Sequence, residues 1–285
     1  MPSNLLALAA IALWASLAVL GVSLAHVPPF LLTGIALVIG SVPAWPFFRQ
    51  WKVSKSAMAL GIYGLFGYHF LFFIGLRYAP PVEANLVNYL WPLGIVVMAP
   101  LFLNGVKLSG AHILAACAGF AGACVAILGD SLFARGLQGI SGASSVWVYL
   151  PAAGAAFIWS SYSLMGKRLN STGRGFPTAA IGLFGLVSGL LSLLCHALLE
   201  PAISLSTQDW GLMALMGLGP LGAAFFLWDA ALKKGDARQI GILSYITPLA
   251  STGLLILVTG RPLTWSIGFA TVLIIGAAVL GTRAQ

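Results

Sequence analysis

The residues of this chain that could do chemistry are few, and they lie at four places. Tyr68 and His69 are adjacent. Asn85 precedes the run Asn88-Tyr89-Leu90-Trp91-Pro92-Leu93. Trp159 and Tyr162 stand three apart. Ser244-Tyr245-Ile246-Thr247-Pro248-Leu249 follows the Asn88 run at an offset of 156. Amides, hydroxyls, an imidazole and flat rings hold a solute by hydrogen bonds and by offset or edge-on ring contacts. They do not by themselves make a reactive centre. The chain has no HExxH motif, no Cys/His cluster at metal-ligand spacing, no Ser/His/Asp set that could meet and no paired carboxylates deep in an apolar run. No catalytic residue, metal site or cofactor is therefore expected. Cys117, Cys124 and Cys195 lie inside apolar runs and read as small core residues.

What must position these groups follows from composition. Of 285 residues, 60 % are apolar and 7 % are charged, whereas a soluble protein carries roughly 25 % charged residues to cover its surface. A chain so poor in charge is expected to be an all-α integral membrane protein with lipid as its solvent. The net charge of +8 does not point to nucleic acid, because the 14 basic residues are scattered in short clusters between apolar runs. The first apolar stretch resembles a signal peptide at Ser23-Leu24-Ala25, but it is long for one and no Lys or Arg precedes it.

Ten transmembrane helices are predicted near residues 4–25, 30–48, 57–77, 81–103, 108–128, 146–166, 176–199, 210–232, 237–259 and 263–281, each near the ~20 residues needed to cross the hydrocarbon core. Turn signals separate them: Pro28-Pro29, Pro80-Pro81, Asn104-Gly105, Lys233 to Asp236 and Gly260-Arg261-Pro262. With this count, eleven basic residues fall on the side of the N-terminus and only Arg77, Arg135 and Arg261 on the other. The positive-inside rule then puts both termini in the cytoplasm.

The chain echoes itself. Trp14-x-Ser16 followed by Gly21 reappears as Trp159-x-Ser161 followed by Gly166, and the fourth and ninth spans share Tyr, Pro and Leu at the constant offset of 156. The expected halves are 1–135 and 136–285, divided by the long connection from Gly129 to Ser145. Five spans per half is an odd number, so the second half enters from the opposite side. Inverted repeats of this kind recur in secondary transporters, with the solute near the midplane between them.

Tyr89 and Tyr245 each lie about eight residues into a span, or ~12 Å at about 1.5 Å per residue, so both motifs converge on the membrane centre. Pro92 and Pro248 are expected to act as hinges and to free the carbonyls of Asn88 and Ser244. Trp14, Trp91 and Trp159 sit too deep for interfacial anchors. With Tyr68, Tyr89, Tyr162 and Tyr245 they are expected to line a cavity suited to a neutral, zwitterionic or amphipathic small molecule, since no Lys or Arg lies deep enough to hold a strong anion. Glu83, Asp229, His26, His112 and His196 fall near span ends and read as interfacial. Glycines at 61, 64 and 67 and at 182, 185 and 189 read as packing stripes. A channel would show charge rings or a carbonyl filter, and neither is present.

The ten spans, the inverted halves, the Trp in each half's first span and the Pro in each half's fourth resemble the drug/metabolite transporter superfamily, in its EamA-type branch. Tyr68-His69 together with Glu83-Ala84-Asn85-Leu86-Val87-Asn88-Tyr89-Leu90-Trp91-Pro92 is similar to the bacterial aromatic amino acid exporters of that branch. The resemblance implies export of aromatic amino acids, and of other neutral ones as further candidates, by alternating access in the bacterial inner membrane. The protein is expected to act as a monomer. Another small amphipathic metabolite or drug is the alternative cargo. Carried over, Tyr68, His69, Tyr89, Trp91 and Trp159 would line the cavity. Asn85, Asn88 and His69 would hold the amino-acid backbone, beside Ser244 and Tyr245. Thr247, where the first half has Trp91, would make the cavity asymmetric.

Overall fold

A computed structural model describes residues 1–135, 146–259 and 264–283. The expected half boundary, most of the midpoint connection, and Arg261 with its neighbours lie outside these residues.

All regular structure among the described residues is helical. The chain forms α1 Ser3–Ala15, α2 Leu17–Ser23, α3 Pro29–Ser41, α4 Lys55–Ile62, α5 Tyr68–Tyr78, α6 Pro81–Asn88, α7 Leu90–Phe102 and α8 Gly110–Arg135. It continues as α9 Leu150–Ser171, α10 Ala180–Leu199, α11 Thr207–Leu218, α12 Ala224–Lys234, α13 Ala237–Leu243, α14 Ile246–Thr259 and α15 Trp265–Arg283. Local chemistry sets several starts. Pro29 and Pro81 open α3 and α6, where a missing N–H costs nothing. Ser54 caps α4, Asp236 caps α13, and Ser206 with Asp209 forms a capping box on α11.

Several apolar runs are broken helices. A single residue, Ser16, separates α1 from α2, and Tyr89 (ψ 4°) separates α6 from α7. Ser244 and Tyr245 separate α13 from α14. Between α4 and α5 the backbone widens into a π turn at Tyr63–Gly67, and between α11 and α12 into another at Gly219–Ala223. These two turns are offset by the same 156 residues that relate the Tyr89 and Tyr245 runs.

Joined across such breaks, nine helical stretches among the described residues are long and apolar enough to cross a membrane. The sixth expected span, α9, is not one of them. It is 22 residues long, but Ser160, Ser161, Tyr162 and Ser163 are buried in its middle and Lys167 and Arg168 lie near its end. It is a polar inner helix, packed on α5, α7 and α12. It nevertheless runs the length of the bundle. Tyr149, just before it, donates a hydrogen bond to the Glu83 carboxylate, while Lys167 Nζ donates to the carbonyls of Leu232 (2.8 Å) and Gly235 (2.6 Å). The latter end also holds Ser3 beside Gly235 and the Arg238 bond to the Lys107 carbonyl. The opposite end holds His26 with Asp209, and Glu200 on the N–H groups of Phe30 and Leu31.

Small residues bring helices close. α3 lies against α10, where a Cβ on Gly189 would stand 2.9 Å from the Gly34 carbonyl oxygen. Methyl groups on Gly61 and Gly64 would overlap the rings of Phe184 and Tyr162. At Gly67 and Gly185 a Cβ would meet its nearest neighbour at 3.5 Å, an ordinary contact, so only part of each glycine stripe is required by packing.

Candidate functional site

The broken helices surround a cavity of about 440 Å³, within the roughly 300–1,000 Å³ of small-molecule sites. Its walls come from α1 and α2, α3, α5, α6, α7, α9, α11, the second π turn, α12 and α14. Along the stretches joined across their breaks, the wall residues come from the middle or from the part far from the Ser3 end. At the Ser3 end Leu6, Ala7, Ala10 and Ile11 are buried among neighbours.

One side of the cavity is aromatic. Trp14, Trp91 and Trp159 meet edge-on, with centroids 5.9–6.4 Å apart. Phe225 lies 6.2 Å from Trp14 and 5.5 Å from Trp159. Behind them Trp228 stands 5.5 Å from Trp91 and donates its indole N–H to Ser163 Oγ at 3.2 Å. Edge contacts suit the ring quadrupole and hold these indoles in fixed orientations.

The π turns help fix the wall. A π turn takes backbone groups off the regular ladder and so offers a carbonyl to side chains. Trp14 Nε1 donates to the Pro220 carbonyl at 3.1 Å. His69 Nδ1 lies 2.6 Å from the Leu65 carbonyl. A carbonyl only accepts, so Nδ1 carries the proton, and in the neutral ring Nε2 is left as an acceptor.

The polar side is small. Asn88, at the end of α6, donates its Nδ2 to the Tyr68 hydroxyl at 3.0 Å. Its Oδ1 has no partner among the described residues, although Asn88 is only 5 % exposed. Thr247 Oγ1 is likewise buried and unpartnered. No Lys, Arg, Asp or Glu lines the cavity, and no cluster of potential metal ligands occurs among the described residues.

A profile described as the EamA-like transporter family matches residues 1–128 and again residues 146–283. The chain belongs to the EamA-like transporter family. This EamA-like protein is 39 % identical over 287 residues to the aromatic amino acid exporter YddG of Ancylobacter novellus, covering 98 % of this chain and 96 % of that one. It is 27 % identical over 293 residues to the exporter of the same name from Escherichia coli K12, with the same coverage. A solved structure 37 % identical in sequence superposes with a TM-score of 0.88 over 98 % of this chain and 97 % of its own. The protein is a multi-pass membrane transporter.

In this EamA-like transporter seven of the ten residues expected to touch solute lie in the cavity wall: Tyr68, His69, Asn85, Asn88, Tyr89, Trp91 and Trp159. Three do not. Tyr162 lies behind Trp159 and over Gly64. The Ser244 hydroxyl donates back to the Ile240 carbonyl at 2.9 Å. Tyr245, fully buried, packs on Phe120, Ala123 and Ile274. The break after α13 turns its side chain toward α8 and α15, away from the centre. The Ser244 carbonyl is not free either, since Thr247 N–H donates to it at 3.0 Å. Pro92 and Pro248 are the third residues of α7 and α14, where a helix has no use for their N–H. The chain bends just before them, at Tyr89 and at Ser244–Tyr245.

Other wall residues went unmarked in the sequence: Thr33, Phe72, Phe73, Phe225 and Ser251. One had a legible signal. The offset of 156 maps His69 onto Phe225, as it maps Trp91 onto Thr247, and all four line the cavity.

Proposed function

We propose that this transporter exports aromatic amino acids, and other neutral ones as secondary cargo, from the cytoplasm by alternating access through the central cavity. The observation that carries the reading is the pairing in one uncharged cavity of an indole-rich wall with an unpartnered buried acceptor, Asn88 Oδ1. The first suits a flat apolar side chain. The second lacks the donor that an ammonium group supplies, and an unmet buried acceptor costs about 1–3 kcal/mol. Meeting the solute takes a turn of the amide about χ2, away from the Tyr68 hydroxyl. His69 Nε2 and Asn85 complete the polar set. The names of the relatives, aromatic amino acid exporter YddG, point the same way.

In this reading α9 is the tenth span and the two halves are inverted repeats. Support comes from the offset of 156, which relates the π turns, the bounds of α5 and α12 and the starts of α6 and α13 alike. Support also comes from helix pairings that mirror one another: α1 on α12 and α5 on α9, α3 on α10, α8 on α15. Both termini lie in the cytoplasm of a bacterial inner membrane, and the chain works as a monomer because the path runs within one chain. The cavity then faces outward. Its cytoplasmic end is closed by Lys167 on the end of α12 and by Lys233, which bridges Asp229 (2.6 Å) and the Phe176 carbonyl (2.7 Å). The bends before Pro92 and Pro248 are the hinges, and rocking about them breaks these contacts as the outer side closes.

The test is flux of radiolabelled tryptophan and phenylalanine in proteoliposomes, with protein-free vesicles as control. Saturable flux blocked by unlabelled aromatic amino acids supports the reading. Absence of flux from inserted, folded protein overturns it in favour of another amphipathic cargo.

A further inference from the structure

Thr247 occupies an unusual place. A hydroxyl in a membrane helix ordinarily bonds back to the carbonyl one turn earlier, as Ser160 does to Ala156 and Ser244 to Ile240. Thr247 does not. Its helix begins at Ile246, and the break at Ser244–Tyr245 interrupts the preceding turn. The hydroxyl is left with no partner, 7 % exposed, in the wall of the cavity with Ser251 one turn further on.

Of the backbone donors at the start of α14, the Thr247 N–H is taken by the Ser244 carbonyl and Pro248 has none, so an anion here would be met by the side chain. The free hydroxyl is a donor that a rotation about χ1 turns toward the cavity. No acidic side chain lines the cavity to oppose it. At the corresponding position of the first half stands Trp91, whose one donor is the indole N–H of a ring in the aromatic wall. The two halves therefore differ where a solute would need them to differ: a ring on one side, a hydroxyl at a helix start on the other.

We propose that Thr247 reads the carboxylate of the transported amino acid at the first turn of α14, while Asn88 Oδ1 takes its ammonium group. The assignment rests on the amino-acid reading above. It sets the cargo's orientation, with the α-carbon between α6 and α14 and the side chain against Trp14, Trp91 and Trp159. It also makes a free carboxylate part of what the cavity selects.

The experiment is competition against labelled tryptophan flux in proteoliposomes by unlabelled tryptophan, by indole-3-propionate, which lacks the ammonium, and by tryptamine, which lacks the carboxylate. Each is measured with the wild type, Thr247→Val and Thr247→Ser. Val keeps the branched shape without the hydroxyl, and Ser keeps the hydroxyl. In Thr247→Val the inhibition constants of tryptophan and indole-3-propionate should rise about tenfold, as for a lost hydrogen bond to a charged group. That of tryptamine should not move, and Thr247→Ser should stay within about twofold of wild type. Equal weakening of all three ligands, or no change in any, overturns the assignment while leaving the export reading intact. Absence of tryptophan flux in the wild type overturns both.

Discussion

Replacing Asn88 by Leu tests the polar half of the site most directly. Leu keeps the branching of Asn and removes both heteroatoms. Two effects on stability then oppose each other. The Tyr68 hydroxyl loses its donor at 3.0 Å, and the unpartnered Oδ1 disappears. Each such group is worth about 1–3 kcal/mol, so one orphan replaces another and thermal stability in detergent should change by about 1 kcal/mol or less. Binding has no such offset. The ammonium group loses an acceptor worth roughly 1.5–3 kcal/mol, so the KM for tryptophan should rise about tenfold to a hundredfold. The double variant Asn88→Leu/Tyr68→Phe separates the two roles. With both partners gone no orphan remains, but the Asn88–Tyr68 bond is lost as well, so stability should equal the wild type or exceed it by up to about 2 kcal/mol. The KM should stay raised. Proteoliposome flux gives KM, and thermal unfolding of the purified protein gives stability. A KM within twofold of wild type in either variant refutes the assignment and leaves Asn88 as a packing partner of Tyr68.

Three further outcomes follow from the same geometry. Trp91→Ala should impair tryptophan flux more than valine flux, because the ring belongs to the aromatic wall; equal losses would count against a role in ring recognition. Gly64→Ala should lower the unfolding temperature, with overpacking against the Tyr162 ring costing about 1–3 kcal/mol, and an unchanged melting curve would contradict the contact. Lys167→Met removes two bonds from the end of α12. In a cysteine-free background it should speed maleimide labelling of Ala7→Cys, which is sealed in this state. Unaltered labelling would mean that Lys167 does not hold the cytoplasmic end closed.

Much was legible before any fold. A chain with 7 % charged residues has no soluble surface, so membrane structure follows from solvation, and apolar runs of about 20 residues choose helices over a barrel. The connections between apolar runs were written in turn residues, and the offset of 156 read from the sequence runs also relates the two π turns. Tyr68, His69, Asn88, Tyr89 and Trp91 could be placed at the cavity because they lie deep in spans where polar and aromatic groups need a reason to be.

What sequence could not supply was direction. Ser244 and Tyr245 are as deep as their counterparts Asn88 and Tyr89, yet the bend after α13 sends one back onto its own helix and the other toward α8. Periodicity fixes depth along a helix but not which way a broken helix turns. Nor could it show that Thr247 would lose its usual carbonyl and that α9 would be an inner helix, polar because its serines face protein. Those outcomes depend on which neighbours each face meets. Depth and chemistry are local properties of the chain, whereas orientation and partnership exist only once the helices pack.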